Sequence, residues 1–291
     1  MPTPIMPRLA SAEPGTDGAP ALAFRDVGFG YGATPTLDGI DLALDRGSIT
    51  ALCGPNGSGK STLLRLASGL LAPARGAVEL AGTPLSRYDR RALGRHLALL
   101  PQAPSVPEGL TVAEVVALAR FPHQGLLGRA DDADRRAVAD ALDQTGVAAM
   151  ADRPLDALSG GERQRAWIAA TLAQGAELLL LDEPTTFLDP QFQVEILRLV
   201  HGLARERGLT VVWVLHDLNE AAAWSERLVL LADGRVAADG DPDAVLTAAT
   251  VQRVFGLDAH ILTHPESGRP LCVPRHGRLA EPVASRADGV G

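Results

Sequence analysis

At 291 residues the chain can bury a large core, as one domain or as a core carrying a subdomain. Its 27 basic and 35 acidic residues leave a net charge of −8, and no Lys/Arg run or aromatic-basic interleaving points to nucleic acid as a partner. The two cysteines, Cys53 and Cys272, lack C-x-x-C spacing and suit a reducing cytosol rather than a disulfide framework or zinc site, and no apolar run of 18 residues crosses a bilayer.

Residues 1–21 carry five prolines among small residues but no apolar signal-peptide core, and read as a disordered lead-in. From Ala21 to about Gly82 the pattern predicts strands: ALAFRDVGFGY, then LDGIDLALDRGSITALC, then GAVELAG. Tyr31 closes the first, at a strand end where an aromatic either packs or stacks on a base.

Between the second and third of these stretches lies GPNGSGKST, Gly54 to Thr62, which fits G-x-x-x-x-G-K-[ST]. The run Gly54, Pro55, Asn56, Gly57, Ser58 and Gly59 lets backbone N–H groups turn inward as an anion nest, and the helix starting near Gly59 adds its positive dipole end. Lys60 offers a point charge to the β- and γ-phosphates, Ser61 a hydroxyl to Mg²⁺, and Thr62 a further phosphate contact. SITALC before it reads as a buried strand, where Cys53 is an inert thiol, and TLLRLAS after it as a helix ending at Gly69.

HLALLPQ, His96 to Gln102, predicts another buried strand with Gln102 at its C-terminal end, where open parallel sheets place ligands. TVAEVVALAR and DDADRRAVADALDQTG predict helices with FPHQGLLGR, 121–129, as the loop between them, so residues 103–170 form a mostly helical insertion. In LSGGERQRAWIAATLAQG, Ser159 and Glu162 stand in capping-box relation, and Gly160 and Gly161 expose the first N–H groups, which by themselves read either as a well-capped helix or as a second anion-binding helix end.

ELLLLDEP is a continuous apolar run of the kind buried on both sheet faces, with Asp182 and Glu183 at its tip. Neighbours on a strand point to opposite sides, so Asp182 suits a Mg²⁺ ligand and Glu183 the group that polarises an attacking water. TVVWVLH repeats the design, ending in His216. DLNEAAAWSERL reads as helix, RLVLLADGRVAADG as a hairpin turning at Asp233-Gly234, and TAATVQRVFG as a small helix. From Leu257 the signal fades, and Pro274 to Gly291 reads as a flexible tail.

Together Tyr31, GPNGSGKST, Gln102, LSGGE, LLLLDE, the FLD of 187–189 and His216 resemble the ordered motif set of an ATP-binding-cassette ATPase, over about residues 22–256. LSGGE discriminates, because other phosphate-loop families share the loop and the acidic strand but not this signature. The resemblance implies an α/β phosphate-loop NTPase core, mainly a parallel sheet flanked by helices, with an antiparallel β subdomain and a helical signature subdomain. It implies that Tyr31 stacks on adenine, Gln102 senses Mg²⁺ and contacts the membrane partner, Asp189 links two subunits and His216 holds the γ-phosphate. GLTVAEVVALARFPHQGLLGR, GERQRAWIAATLAQ and DEPTTFLD are similar to ferric-siderophore importer ATPases, relatives of the haem and vitamin B12 systems. Ala119 and Glu162 depart from that pattern, where Gly and Gln are usual, without touching the chemistry.

A cassette with two half-sites for one triphosphate closes both only by pairing head-to-tail with a second copy, Ser159 and Gly161 of one chain capping ATP on the other's Lys60. The expected partners are that copy and, as the resemblance implies, a membrane permease at the cytoplasmic face of the cell membrane and, indirectly, a periplasmic or lipoprotein substrate-binding protein. A soluble cassette acting on ribosomes or DNA fits less well, since the chain has neither a second cassette nor a coiled-coil insertion. LSGGE and His216 argue against a phosphate-loop kinase or GTPase.

Overall fold

The structure, a computed structural model, describes residues 18–32, 34–105, 108–124 and 130–275. The predicted lead-in up to residue 17, most of the 121–129 loop and the tail from 276 lie outside the described residues.

β1 (Leu22–Tyr31) and β2 (Thr34–Leu44) pair antiparallel, and β1 pairs on its other edge with β4 (Arg75–Leu80), which carries the two-residue β5 (Thr83–Pro84). Between β2 and β4 run β3 (Ile49–Cys53), the phosphate-loop stretch and α1 (Lys60–Ala67). α2 (Arg90–His96), capped by Asp89, leads into β6 (Leu97–Leu100). α3 (Val112–Leu118), α4 (Asp132–Gln144) and α5 (Gly160–Ala173) follow, each opened by a capping box: Thr111 with Glu114, Asp131 with Asp134, and Ser159 with Glu162. β7 (Leu178–Asp182), α6 (Pro190–Arg207), β8 (Thr210–Val214), α7 (Leu218–Trp224), β9 (Arg227–Ala232) and β10 (Arg235–Gly240) complete the second sheet and its cover.

That six-stranded sheet has the order β10-β9-β3-β8-β7-β6, parallel throughout except for β10. Its inner strands β3, β8 and β7 are buried along their whole length and almost wholly apolar because both faces are covered, whereas the edge strand β10 is not. Along β7, Leu178 and Leu180 join the core shared with α1 and the antiparallel sheet, while Leu179 and Leu181 join the core shared with the helices of the other face. Val212 and Val214 on β8 divide from Val211 and Trp213 in the same way. Each such side chain removed from water contributes about 1.5–3 kcal/mol, and that burial holds four strand ends side by side. The mixed α/β core with a separate antiparallel sheet is the fold class expected.

Asp233 and Gly234 turn between β9 and β10 with φ 49° and 72°, the left-handed pair that matches strand twist in a two-residue hairpin. A Cβ on Gly234 would lie 2.4 Å from the Thr36 carbonyl, and Asp38 N–H donates to the Gly234 carbonyl at 2.9 Å. The turn thereby props the Thr36–Leu37 stretch of β2 beside the phosphate loop.

Several elements fall outside the sequence reading: α2 takes up His96, which the strand pattern included, and α6 and a C-terminal hairpin follow further on. α6 is the longest helix described, with Pro190 at its start, Gly208 after its end, and Ile196, Leu197, Val200, Leu203 and Ala204 buried on one face. Beyond α8 (Pro242–Val245) and α9 (Ala248–Phe255), where the sequence signal fades, β11 (Ala259–Thr263) and β12 (Pro270–Pro274) form an antiparallel hairpin. Only Ala259, Pro270 and Cys272 of its strands are buried, too few for a visible alternation.

Candidate nucleotide site

β3 delivers the chain to the C-terminal edge of the sheet, where glycine backbone geometry takes over. Gly54 sits at φ 149°, and a Cβ there would stand 2.1 Å from the Leu231 carbonyl oxygen, so the loop can leave β3 beside β9 only with glycine. Gly59, at φ 101°, is the N-cap of α1 and supplies no capping side chain, leaving the first N–H groups of that helix for an external anion. A cavity of about 200 Å³ lies over this end, lined by Asn56, Gly57, Gly59, Lys60, Ser61 and Thr62, with Thr36, Glu183 and His216 on its other walls.

Lys60 is buried and its Nζ donates to the carbonyls of Gly54 (2.8 Å) and Pro55 (3.0 Å). Burial depresses its pKa, opposed by charges that include Glu183 and Asp182. Ser61 Oγ donates to Asp182 Oδ1 at 3.1 Å, joining α1 to the tip of β7. Desolvation raises the Asp182 carboxyl, with the Glu183 charge adding to it. A desolvated carboxylate beside a hydroxyl is a fitting oxygen set for a Mg²⁺ ion that takes its other ligands from water and phosphate. Cys53 is fully buried and its thiol is pushed up to about 12 by desolvation, in keeping with an inert role.

Glu183 is the hub. It lies just past β7 in the left-handed region, φ 53°, so the strand alternation that separated it from Asp182 does not apply at its own Cα. Thr186 N–H donates to the Glu183 carbonyl at 3.3 Å, closing the turn that imposes this conformation. Its Oε2 accepts from Gln102 Nε2 (2.5 Å) and Thr186 Oγ1 (2.9 Å), and His216 Nε2 stands 2.6 Å from Oε1. The tips of β6, β7 and β8 thus converge on one carboxylate. Thr36 and Thr186 are new to the site. Thr186 lies in the acidic stretch three residues after Glu183, whereas Thr36 arrives from β2 with no local signal.

Tyr31 is half exposed, packs edge-on against Phe29 with centroids 5.0 Å apart, and has its hydroxyl 3.5 Å from Arg65 Nη1. Thr62, and after it Arg65, lower its phenol pKa, which places the ring beside α1. Ser159 N–H donates to Glu162 Oε2 at 2.8 Å and Ser159 Oγ accepts from Glu162 N–H at 3.4 Å, leaving Ser159 and Gly160 exposed at the head of α5. A Cβ on Gly161 would meet the Phe192 ring at 2.8 Å, so glycine lets α6 close against that head. Asp189 precedes α6, exposed and with no side-chain cap bond. None of Tyr31, Gln102, Ser159, Gly160, Gly161 and Asp189 is among the described residues lining the cavity.

The family model described as ABC transporter matches residues 37–186, from β2 through Glu183 and Thr186. The chain belongs to the ABC transporter family. It is 45% identical to an iron(3+)-hydroxamate import ATP-binding protein of Bacillus subtilis (strain 168), over 87% of this chain and 94% of that one. A hemin import ATP-binding protein of Bordetella bronchiseptica is 42% identical, over 87% and 99%. Among solved structures, a bacterial ABC transporter cassette in dimeric form matches with a TM-score of 0.67 and 29% identity, covering 76% of this chain and 98% of that one. The chain is accordingly an ABC-type ATPase.

Proposed function

We propose that this chain is the ATP-hydrolysing subunit of a bacterial importer for ferric siderophores, acting as a head-to-tail pair on a membrane permease at the cytoplasmic face. The observation that carries the pairing is the split between a complete phosphate-binding and carboxylate cluster on one side and an exposed, glycine-opened head of α5 outside its cavity. A second copy would bring Ser159 and Gly161 over the phosphates held by the first, closing two symmetric sites.

In this reading Lys60 leaves the Gly54 and Pro55 carbonyls to bind the β- and γ-phosphates, and the uncapped end of α1 takes the remaining charge. Ser61 and Asp182 would hold Mg²⁺, and the side-chain carbonyl of Gln102 would be a further ligand. Bound Mg²⁺ would supply charge neutralisation on the transferred phosphoryl group. Glu183 accepts the proton of the attacking water, held in place by Gln102 and Thr186. His216 steadies Glu183 and contacts the γ-phosphate, Tyr31 offers its exposed face to adenine, and Asp189 meets the second copy.

An apolar groove of about 430 Å³, lined by Pro101, Pro104, Leu118 and Trp167 among others, opens beside Gln102. Leu118 is 61% exposed on its rim, which supports permease docking at this face. No helix among the described residues is long and apolar enough to cross a membrane, so attachment falls to the permease. The hydroxamate-import relative supports ferric siderophores as the cargo, delivered by a substrate-binding protein, and the hemin-import relative supports haem as a second reading. Ser159→Arg in a Glu183→Gln background tests the shared site: ATP affinity should stay within about twofold while the ATP-dependent dimer disappears from gel filtration. A normal dimer would end the shared-site reading.

A further inference from the structure

His216 stands at an exposed corner between β8 and α7, and among the described residues its side chain touches a hydrogen-bonding partner only at Glu183. Its placement therefore depends on how the backbone corner is held. On the β8 side Leu215 N–H donates to the Leu52 carbonyl at 3.3 Å. On the α7 side Asp217 Oδ1 accepts from the N–H groups of Asn219 (2.7 Å) and Glu220 (3.1 Å). The Asn219 side chain does something else. Its Oδ1 accepts from the Cys272 N–H at 2.7 Å and its Nδ2 donates to the Cys272 carbonyl at 3.2 Å.

A carboxamide bound to both peptide groups of one residue mimics a strand pairing and fixes orientation as well as distance. The residue it grips, Cys272, is buried in β12, the strand of the C-terminal hairpin that packs on α7. Five residue pairs join that hairpin, from Ala259 with Pro274 to Thr263 with Pro270, and Arg275 N–H closes it onto the Asp258 carbonyl at 2.9 Å. The far end of α7 is pinned separately, Trp213 Nε1 donating to Ser225 Oγ at 2.9 Å. Without Asn219 the first turn of α7 keeps its local cap and the packing of Leu218 and Ala221 against the core, but loses its polar tie to β12.

We propose that Asn219 is a positioning residue for ATP hydrolysis: by clamping Cys272 it uses the 259–274 hairpin as a strut that sets the His216 corner against Glu183. The inference rests on the roles given above to His216 and Glu183. It assigns a purpose to the hairpin, which lies outside the matched family segment and carries no motif.

The test uses the full chain carrying Asn219→Ala, Cys272→Pro or both. Cys272 N–H points at Asn219 rather than into the hairpin ladder, so proline there removes this bond while leaving the β11 pairing its donors. Asn219→Ala should lower kcat about tenfold by loosening the geometry, with KM for Mg-ATP within about twofold. The imidazole ¹⁵N resonances of His216, assigned by their loss in His216→Ala, should move in each single variant. The double variant should cost no more than either alone. Unchanged His216 resonances in Asn219→Ala, or losses that add in the double variant, would overturn the proposal. The resonances need no turnover, so they decide this inference even if the hydrolysis reading fails, while an active wild type with an unaffected Asn219→Ala refutes this inference alone.

Discussion

Replacing Glu183 by Gln isolates the proton-accepting role from the fold around it. The two side chains match in shape, and both meet the same backbone demand at φ 53°, so the turn to Thr186 is not newly strained. The carboxylate now accepts from Gln102 and Thr186 on one oxygen and faces His216 with the other. In the variant the amide oxygen can keep the first two donors and turn its NH₂ to His216, whose ring nitrogen accepts in the other tautomer. The network therefore survives, and no loop group that binds phosphate is altered. What disappears is the base, whose contribution is typically 10²- to 10⁴-fold, or about 2.7–5.5 kcal/mol of barrier at 1.36 kcal/mol per decade. Phosphate-release kinetics should fall by at least a hundredfold while ATP affinity holds within about twofold, and gel filtration should show an ATP-stabilised dimer. Turnover within tenfold of wild type would refute the assignment of Glu183.

Lys60→Ala removes a buried ammonium that would meet the phosphates in charge-assisted bonds worth about 1.5–3 kcal/mol. ATP affinity should drop about 10- to 150-fold by titration, and retained affinity would contradict the phosphate-loop reading. A second site tests stability rather than chemistry. Arg120 Nε donates to Asp134 Oδ1 at 2.8 Å with both side chains nearly buried, and Arg120 also donates to the Ala173 carbonyl at 2.8 Å, tying α3, α4 and α5 together. Burial alone would raise the Asp134 carboxyl, but the Arg120 and Asp131 bonds outweigh it and hold it below its usual 3.8. A folded-state pKa below the unfolded value gives stability that is present above the unfolded pKa and lost as pH falls through the folded one, here below about pH 4. Asp134→Asn should cost about 3–5 kcal/mol at neutral pH by stranding Arg120, and should flatten the acid limb of thermal stability. Equal acid sensitivity of variant and wild type would remove the pair from that role.

The sheet core was legible because strands covered on both faces have to be apolar at every position, as in Leu178–Leu181 and Val211–Val214. Their tips were legible for the same reason: Asp182, Glu183 and His216 interrupt runs that nothing else interrupts. The gathering of those tips was not. That Gln102 and His216 meet on one carboxylate depends on the order β8-β7-β6, which no local pattern encodes. Glu183's left-handed backbone comes from the Thr186 turn, a tertiary detail beyond strand periodicity. Thr36 reaches the cavity through tertiary packing, with β2 paired to β1 and lying against the Asp233-Gly234 turn. The Asn219–Cys272 clamp spans 53 residues, and neither partner stands out in the chain.

The central claim, that hydrolysis at Glu183 drives import of ferric siderophores, is met most directly in cells lacking this gene. Uptake of radiolabelled ferric hydroxamate would be followed after complementation with wild type or with Glu183→Gln. Uptake restored by the wild type alone is the result predicted. Equal uptake in the deleted strain and both complemented strains would contradict it.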